Sequence, residues 1–311
     1  MIAIPVAAPM KLPIFYAQDY DLNLGPHIFP SQKYRLTYQQ LLESGYFAAE
    51  NFIRPQEATD EQLLLVHDKE YLRKVRTGDF TLQELMRLEI RFSTELAKAC
   101  LLSAGGTIQA CELALHRRMA VNLGGGFHHA HAAHGEGFCV LNDVAAGIAC
   151  CLASGKIRSA MVLDCDVHQG NGTASIFRQE SRVYTVSLHQ ENNYPIPKER
   201  SSLDIGFEDG AGDKEYLFQL DSAMEKAFSL HSPDLMVYVA GADPYAEDQL
   251  GGLHLSINGL KKRDELVFNR AAARNCPVVV TLAGGYARNV TDTVSIHINT
   301  ILAAKAQHEK L

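Results

Sequence analysis

Six short apolar runs, each β-branched enough to be a buried strand, punctuate this 311-residue chain: Ile14–Tyr16, Met119–Leu123, Ser159–Leu163, Arg182–Leu188, Leu235–Ala240 and Val278–Leu282. Longer stretches with helical periodicity lie between them. The clearest are Thr94–His116, Asp143–Ser154, Lys214–His231, Asn258–Asn275 and Val290–Ala306, the fourth ending ahead of Pro277 as a helix should. Strand then helix, repeated, specifies an α/β fold: an open parallel sheet with helices on both faces. No repeat, low-complexity tract or Pro/Ser-rich linker divides the chain, so residues 1–311 are expected to form a single domain. The 47% hydrophobic content is enough for a substantial core.

Charge and cysteine usage narrow the function. Twenty-nine basic and 36 acidic residues leave a formal net charge of −7, and no basic run is longer than Lys261-Lys262-Arg263. That excludes a duplex-binding footprint, so no direct nucleic-acid binding is expected. A mildly acidic surface suits cationic substrates and serves solubility equally well. The seven cysteines are an odd number without a C-x-x-C pair, which reads as a reduced, cytoplasmic protein. Met1 to Pro9 is apolar but lacks a basic leader and a cleavage pattern. No segment reaches the roughly 18 apolar residues a membrane helix needs.

The polar residues that stand out fall just after the expected strands. His128 and His129 follow the second, Asp164 to His168 the third, His189 the fourth, Asp243 the fifth and Tyr286 the sixth. Open α/β sheets bind ligands at the carboxyl ends of their strands, so this placement is what one pocket requires. Each residue alone has a plainer explanation, since loops after strands are polar in any soluble protein.

Asp166 and His168 are two positions apart, so at the end of an extended strand their side chains leave on one face and can meet one cation. With Asp243 they form an oxygen, nitrogen, oxygen set with vacant positions, the arrangement of a catalytic site; structural zinc sites are closed and usually thiolate-rich. Zinc is the default metal, and iron(II) or manganese also suits two carboxylates and an imidazole. Asp243, directly before Pro244, fits a helix N-cap as well. Taken with Asp166 and His168 it reads as a ligand. The histidine pair lies in the turn Gly124-Gly125-Gly126-Phe127-His128-His129. Glycine-rich turns tolerate histidine, but two in succession beside a metal are placed so that one takes a proton from water while the other adjusts the local field. His131 and His134 are read as structural.

These stretches resemble a known family. Together with Gly137-Phe138-Cys139, Leu141-Asn142-Asp143, Leu163 to Thr173, Val186 to His189, Gly241-Ala242-Asp243, Leu250 to Leu253, Lys262 to Leu266, Gly284-Gly285-Tyr286 and His67 to Tyr71, they make the chain similar to histone deacetylase-type zinc amidohydrolases. Among these it is most similar to the class IV group and its bacterial relatives. The likeness runs from about Pro13 to Ile301 and implies an arginase/deacetylase-like fold.

Carried over by position, the resemblance implies zinc on Asp166, His168 and Asp243, with a water between the metal and the histidine pair. His129 becomes the general base and later general acid, and His128, oriented by Asp164, supports the transition state. Asn171 faces His129 where several relatives carry an aspartate, and an amide stabilises an imidazolium less than a carboxylate does. Tyr286, after two glycines, is the oxyanion donor. Phe138 and Tyr194, with Gly137 and Gly284, belong to a substrate tunnel. An acidic residue gripping the substrate backbone is sought among Asp79, Glu84 and Glu89. A structural potassium ion is implied near Asp164, Asp166, His168, Ser187 and Leu188, and a second near Phe177 and Val183.

The expected substrate is an acylated lysine in a protein or peptide, with acetyl or longer acyl chains. An acetylpolyamine or other acylated small amine is the alternative within the family. A two-manganese ureohydrolase of related fold needs aspartate-rich motifs that the chain lacks. A silent binding module would not need the ligands, the histidine pair and the tyrosine together.

Overall fold

The structure is a computed structural model and describes residues 11–310. The expectation for Met1 to Pro9 lies outside the described residues. Among the described residues, eight strands form one sheet: β1 (Ile14–Phe15), β2 (Phe52–Ile53), β3 (Met119–Asn122), β4 (Ala160–Asp164), β5 (Val183–Gln190), β6 (Leu203–Phe207), β7 (Leu235–Val239) and β8 (Val278–Thr281). Their order is β2-β1-β3-β8-β7-β4-β5-β6, and every pairing is parallel. The helices are α1 (Gln32–Glu43), α2 (Asp60–Leu63), α3 (Lys69–Thr77), α4 (Leu82–Leu88), α5 (Thr94–Arg117), α6 (Asp143–Ala153), α7 (Asn171–Phe177), α8 (Asp213–Leu230), α9 (Ile257–Ala273) and α10 (Val290–His308).

The sheet is covered on both faces, which is why its central strands read as continuous apolar runs. In β7, Met236 and Tyr238 pack with Leu220 and Met224 of α8, Val267 and Phe268 of α9 and Ile301 of α10. Leu235, Val237 and Val239 point the other way, to Leu101 and Ile108 of α5 and Val144 and Ile148 of α6. The two-residue period of an extended strand thus feeds two separate cores. Among the described residues, no helix is long and apolar enough to cross a membrane.

All six expected strands and all five expected helices are present, with ends shifted by one or two residues. His189 does not follow its strand but lies inside β5, where its Nδ1 sits 2.9 Å from Ser187 Oγ. It therefore does not join the other strand-end residues. The sheet order turns back between β3 and β4, which are separated by β8 and β7. A crevice at the carboxyl ends is expected where a parallel sheet reverses in this way.

Candidate metal centre and active site

Beyond β4 the chain runs through Asp164, Cys165, Asp166, Val167 and His168 in a tight turn. The Asp166 N–H donates to Asp164 Oδ1 at 3.1 Å, and the His168 N–H donates to Asp166 Oδ1 at 3.0 Å. β7 delivers Asp243, whose Oδ1 accepts from the Val167 N–H at 2.9 Å. After β8 the Gly284 N–H donates to Asp166 Oδ2 at 2.8 Å. The His168 Nδ1 lies 3.1 Å from Asp166 Oδ1 and 3.5 Å from Asp243 Oδ2. Arg263 of α9, fully buried, binds the carbonyls of Gly241 at 2.6 Å and Cys165 at 3.3 Å, tying together the two loops that carry the aspartates.

Asp166, His168 and Asp243 each offer one ligand atom within 4.8 Å of the others, and all three are buried. Among the described residues, Asp243 Oδ2 has no hydrogen-bond partner. A buried carboxylate oxygen without a donor is costly, and a cation removes that cost. Burial, reinforced by the charge of Asp166, pushes the Asp243 carboxyl up to about 7 even with His168 beside it. Burial also works against a charged His168, yet its contacts with Asp166 and Asp243 raise it to about 10. The set therefore fits one divalent cation. No helix begins at Pro244, so Asp243 is not an N-cap. A Cβ at position 284 would stand 1.7 Å from Asp243 Oδ2, so only glycine lets the chain pass so close.

The histidine pair is held from behind. The buried Asp143 carboxylate accepts from the N–H groups of Gly126 and Phe127, at 2.8 to 3.1 Å, and pins the glycine turn. His128 Nδ1 meets Asp164 Oδ2 at 2.6 Å, and His129 Nδ1 meets Asn171 Oδ1 at 2.7 Å. The ring centroids are 4.1 Å apart. Burial works against charge on both rings, but Asp164 and Asp166 overcome it at His128 and raise it to about 9. At His129 burial is joined by repulsion from His128 and His168, which holds it well below the ordinary histidine value. Two adjacent imidazoles are thus pushed in opposite directions.

Over this floor opens a cavity of about 420 Å³, lined by Glu89, His129, Phe138, His168, Tyr194 and Tyr286 among others. Phe138 has a left-handed backbone, φ 67°, and its N–H donates to the Leu88 carbonyl at 2.9 Å. The Tyr194 ring stands edge-on to His129 at 5.0 Å between centroids. Gly137 lies between these walls, whereas Gly284 lies deeper, against the aspartates. Tyr286 packs 6.0 Å from the Phe138 ring, and its N–H donates to Asp248 Oδ2 at 2.6 Å. Burial, then Asp166 and Asp243, push its phenol well above the usual tyrosine range, so it remains a hydrogen-bond donor.

Of the three acidic rim residues considered, Asp79 pairs with Arg73 and Glu84 with Lys74, leaving Glu89 at the mouth. Asp164 pairs in register with Ser187, next to Leu188, while Phe177 closes α7 and Val183 opens β5. Three residues near the site have no counterpart in the sequence reading: Lys33, Glu136 and Asp248. Lys33 is fully buried, donates to the Ala283 carbonyl at 2.7 Å and lies 5.6 Å from the Tyr286 ring centroid. Glu136 had one visible signal, a carboxylate set between Gly135 and Gly137 just after the histidine pair.

The comparisons with known proteins point to one family. Residues 27–302 match the family model described as histone deacetylase domain. The chain is 38% identical over 289 residues to an uncharacterized protein of Picosynechococcus sp., covering 93% of this chain and 96% of that protein. It is 33% identical to histone deacetylase 2 of Arabidopsis thaliana, covering 91% of this chain and 78% of that one. The crystal structure of an HDAC homolog complexed with SAHA superposes with a TM-score of 0.78 at 24% identity, over 96% of this chain and 84% of that chain. With the family model matching most of its length and its fold shared with a solved homologue, this chain belongs to the histone deacetylase family.

Proposed function

We propose that the protein hydrolyses the amide of an acylated lysine, using one zinc ion held by Asp166, His168 and Asp243. The observation that carries this reading is the convergence of those three donors, with an orphaned Asp243 Oδ2, beneath a cavity lined by His129, Tyr286 and two aromatic walls. When bound, zinc supplies Lewis acidity for an acyl carbonyl and for a water, whose pKa such a site lowers toward about 7. Iron(II) suits the same donors.

The rest of the chemistry belongs to side chains. His129, neutral in its surroundings, takes a proton from the attacking water and returns it to the leaving amine. His128, kept charged by Asp164, faces the negative charge that develops on the acyl oxygen. The Tyr286 hydroxyl donates to that oxygen. Phe138 and Tyr194 would flank the aliphatic part of a lysine side chain, and Glu89, which lines the same cavity, would accept from a peptide N–H. The potassium ion implied by the resemblance would lie against Asp164, Ser187 and Leu188. All seven cysteines are free thiols, in keeping with a reducing, cytoplasmic setting.

The test is a panel of acyl-lysine peptides and acetylpolyamines, with bound metal measured in the same samples. Turnover of the peptides that tracks zinc content is the expected result. Turnover of acetylpolyamines alone would move the substrate to small amines, and activity without metal would remove the mechanism.

A further inference from the structure

Glu136 is a half-buried carboxylate behind the Tyr194 wall that the proposed chemistry does not use. Its Oε1 accepts from Asn171 Nδ2 at 2.6 Å and from the Tyr194 hydroxyl at 2.9 Å. Its Oε2 accepts from His134 Nε2 at 3.1 Å. His131 Nε2 lies 3.8 Å from Oε1 and 3.1 Å from Asn171 Nδ2.

His131, His134 and Glu136 have ligand atoms within 4.8 Å of one another, the pattern of a second metal site. What fills the space between them argues for another role. The acceptors converge on protein donors, the Asn171 amide and the Tyr194 hydroxyl, which occupy the directions a cation would need.

That amide has only one consistent orientation. Burial works against charge on Glu136, but its contacts with His131, His134, Asn171 and Tyr194 outweigh it and hold the carboxyl far below the usual range. An ionised carboxylate only accepts, so the Asn171 atom facing it is the NH2 group. The other amide atom, at 2.7 Å from His129 Nδ1, is then the carbonyl oxygen. A carbonyl needs a donor, so His129 carries its proton on Nδ1 and leaves the Nε2 lone pair free. A reversed amide would present NH2 to Nδ1 and favour the tautomer protonated on Nε2, which cannot accept there.

We propose that Glu136 is a positioning residue for proton transfer: it locks the Asn171 amide, which sets the His129 tautomer, and the same carboxylate anchors the Tyr194 wall. The proposal rests on the reading of His129 as the general base.

Two substitutions test it together. Asn171→Asp sets a second carboxylate where the NH2 group stood, 2.6 Å from Glu136 Oε1, and two such groups cannot both ionise. The expected result is a loss of roughly 10-fold or more in turnover for Asn171→Asp, reversed by adding Glu136→Gln, whose amide donates to Asp and whose charge is gone. In the native background Glu136→Ala should lower kcat on the order of 10- to 100-fold, and Glu136→Gln, which still accepts from Asn171, should retain most of it. Additive effects of Asn171→Asp and Glu136→Gln would overturn the proposal. Where Glu136→Ala does not fold, the double variant carries the same test.

A second readout does not depend on the substrate. Imidazole nitrogen shifts of labelled histidine should report Nδ1–H at His129 in the native protein and a mixture of tautomers in Glu136→Ala. An unchanged tautomer would overturn the positioning role. The tautomer change in a protein inactive on every acyl-lysine would instead overturn only the reading of the reaction. Loss of a second equivalent of bound zinc in Glu136→Ala would return the cluster to a metal site and defeat the proposal.

Discussion

The floor of the site and its outer wall solve opposite electrostatic problems. On the floor Asp164, Asp166 and Asp243 are crowded with His128 and His168, and one carboxylate oxygen has no hydrogen-bond partner among the described residues. On the wall a single carboxylate, Glu136, is satisfied by donors from three residues, His134, Asn171 and Tyr194. The floor is short of positive charge, so its donors fit a cation. The wall is electrostatically complete, so it serves as a fixed frame for His129 and Tyr194. The same contrast separates the two imidazoles, one leaning on a carboxylate and the other on an amide.

The largest expected effect comes from breaking the floor. Asp243→Ala should lose bound metal outright, with turnover falling by about 10³-fold or more; stoichiometric zinc retained in the variant would show another third ligand. Next, Tyr286→Phe should leave metal content unchanged and cut kcat by roughly 100-fold or more, and normal turnover would remove the hydroxyl from the mechanism.

Asp164→Asn would make the floor pair a copy of the wall pair. His128, raised to about 9 largely through Asp164 against its burial, should then lose its proton at lower pH. If the charged form supports catalysis, the alkaline limb of the rate profile moves to lower pH, and kcat near neutrality drops on the order of 10-fold. An unmoved limb would show that His128 does not act as a cation.

Metal linkage gives a fourth test. In the metal-free protein Asp243 is raised to about 7 and His168 to about 10. A raised folded pKa stabilises the metal-free fold fully below the ordinary value, and that contribution is lost as pH rises through the shifted value. Both groups must also shed their protons to bind zinc. The melting-temperature gain on adding zinc should therefore grow from pH 5 to pH 9, beyond roughly 4 for Asp243 and 6.5 for His168, their ordinary values. A gain independent of pH would mean that these protons are not displaced. The smallest effect belongs to the mouth: Glu89→Ala should raise KM a few-fold for peptides and leave small acylated amines unaffected.

What could be read in advance followed burial. β7 and β8 were legible because both faces meet a core and the run is apolar apart from the buried Thr281. β6, Leu203–Phe207, was not, because it is an edge strand whose exposed Asp204 and Gly206 interrupt the pattern. β2, at the other edge, is two half-buried residues, whereas the equally short β1 is fully buried. The strand-end residues Asp166, His168 and Asp243 were legible because a parallel sheet sends such positions to one crevice. Lys33 was not, since its partner Ala283 lies 250 residues away. Glu136 likewise meets Asn171 and Tyr194 only across 35 and 58 residues.

By itself the amino-acid order determined the layered α/β architecture and the residue types gathered at the strand ends, because local periodicity and strand polarity are written in near neighbours. Only the tertiary structure decided which of those groups share a proton, which oxygen is left bare and which way the Asn171 amide faces. Those outcomes depend on contacts of a few ångströms between segments far apart in the chain, and no spacing in the sequence encodes them.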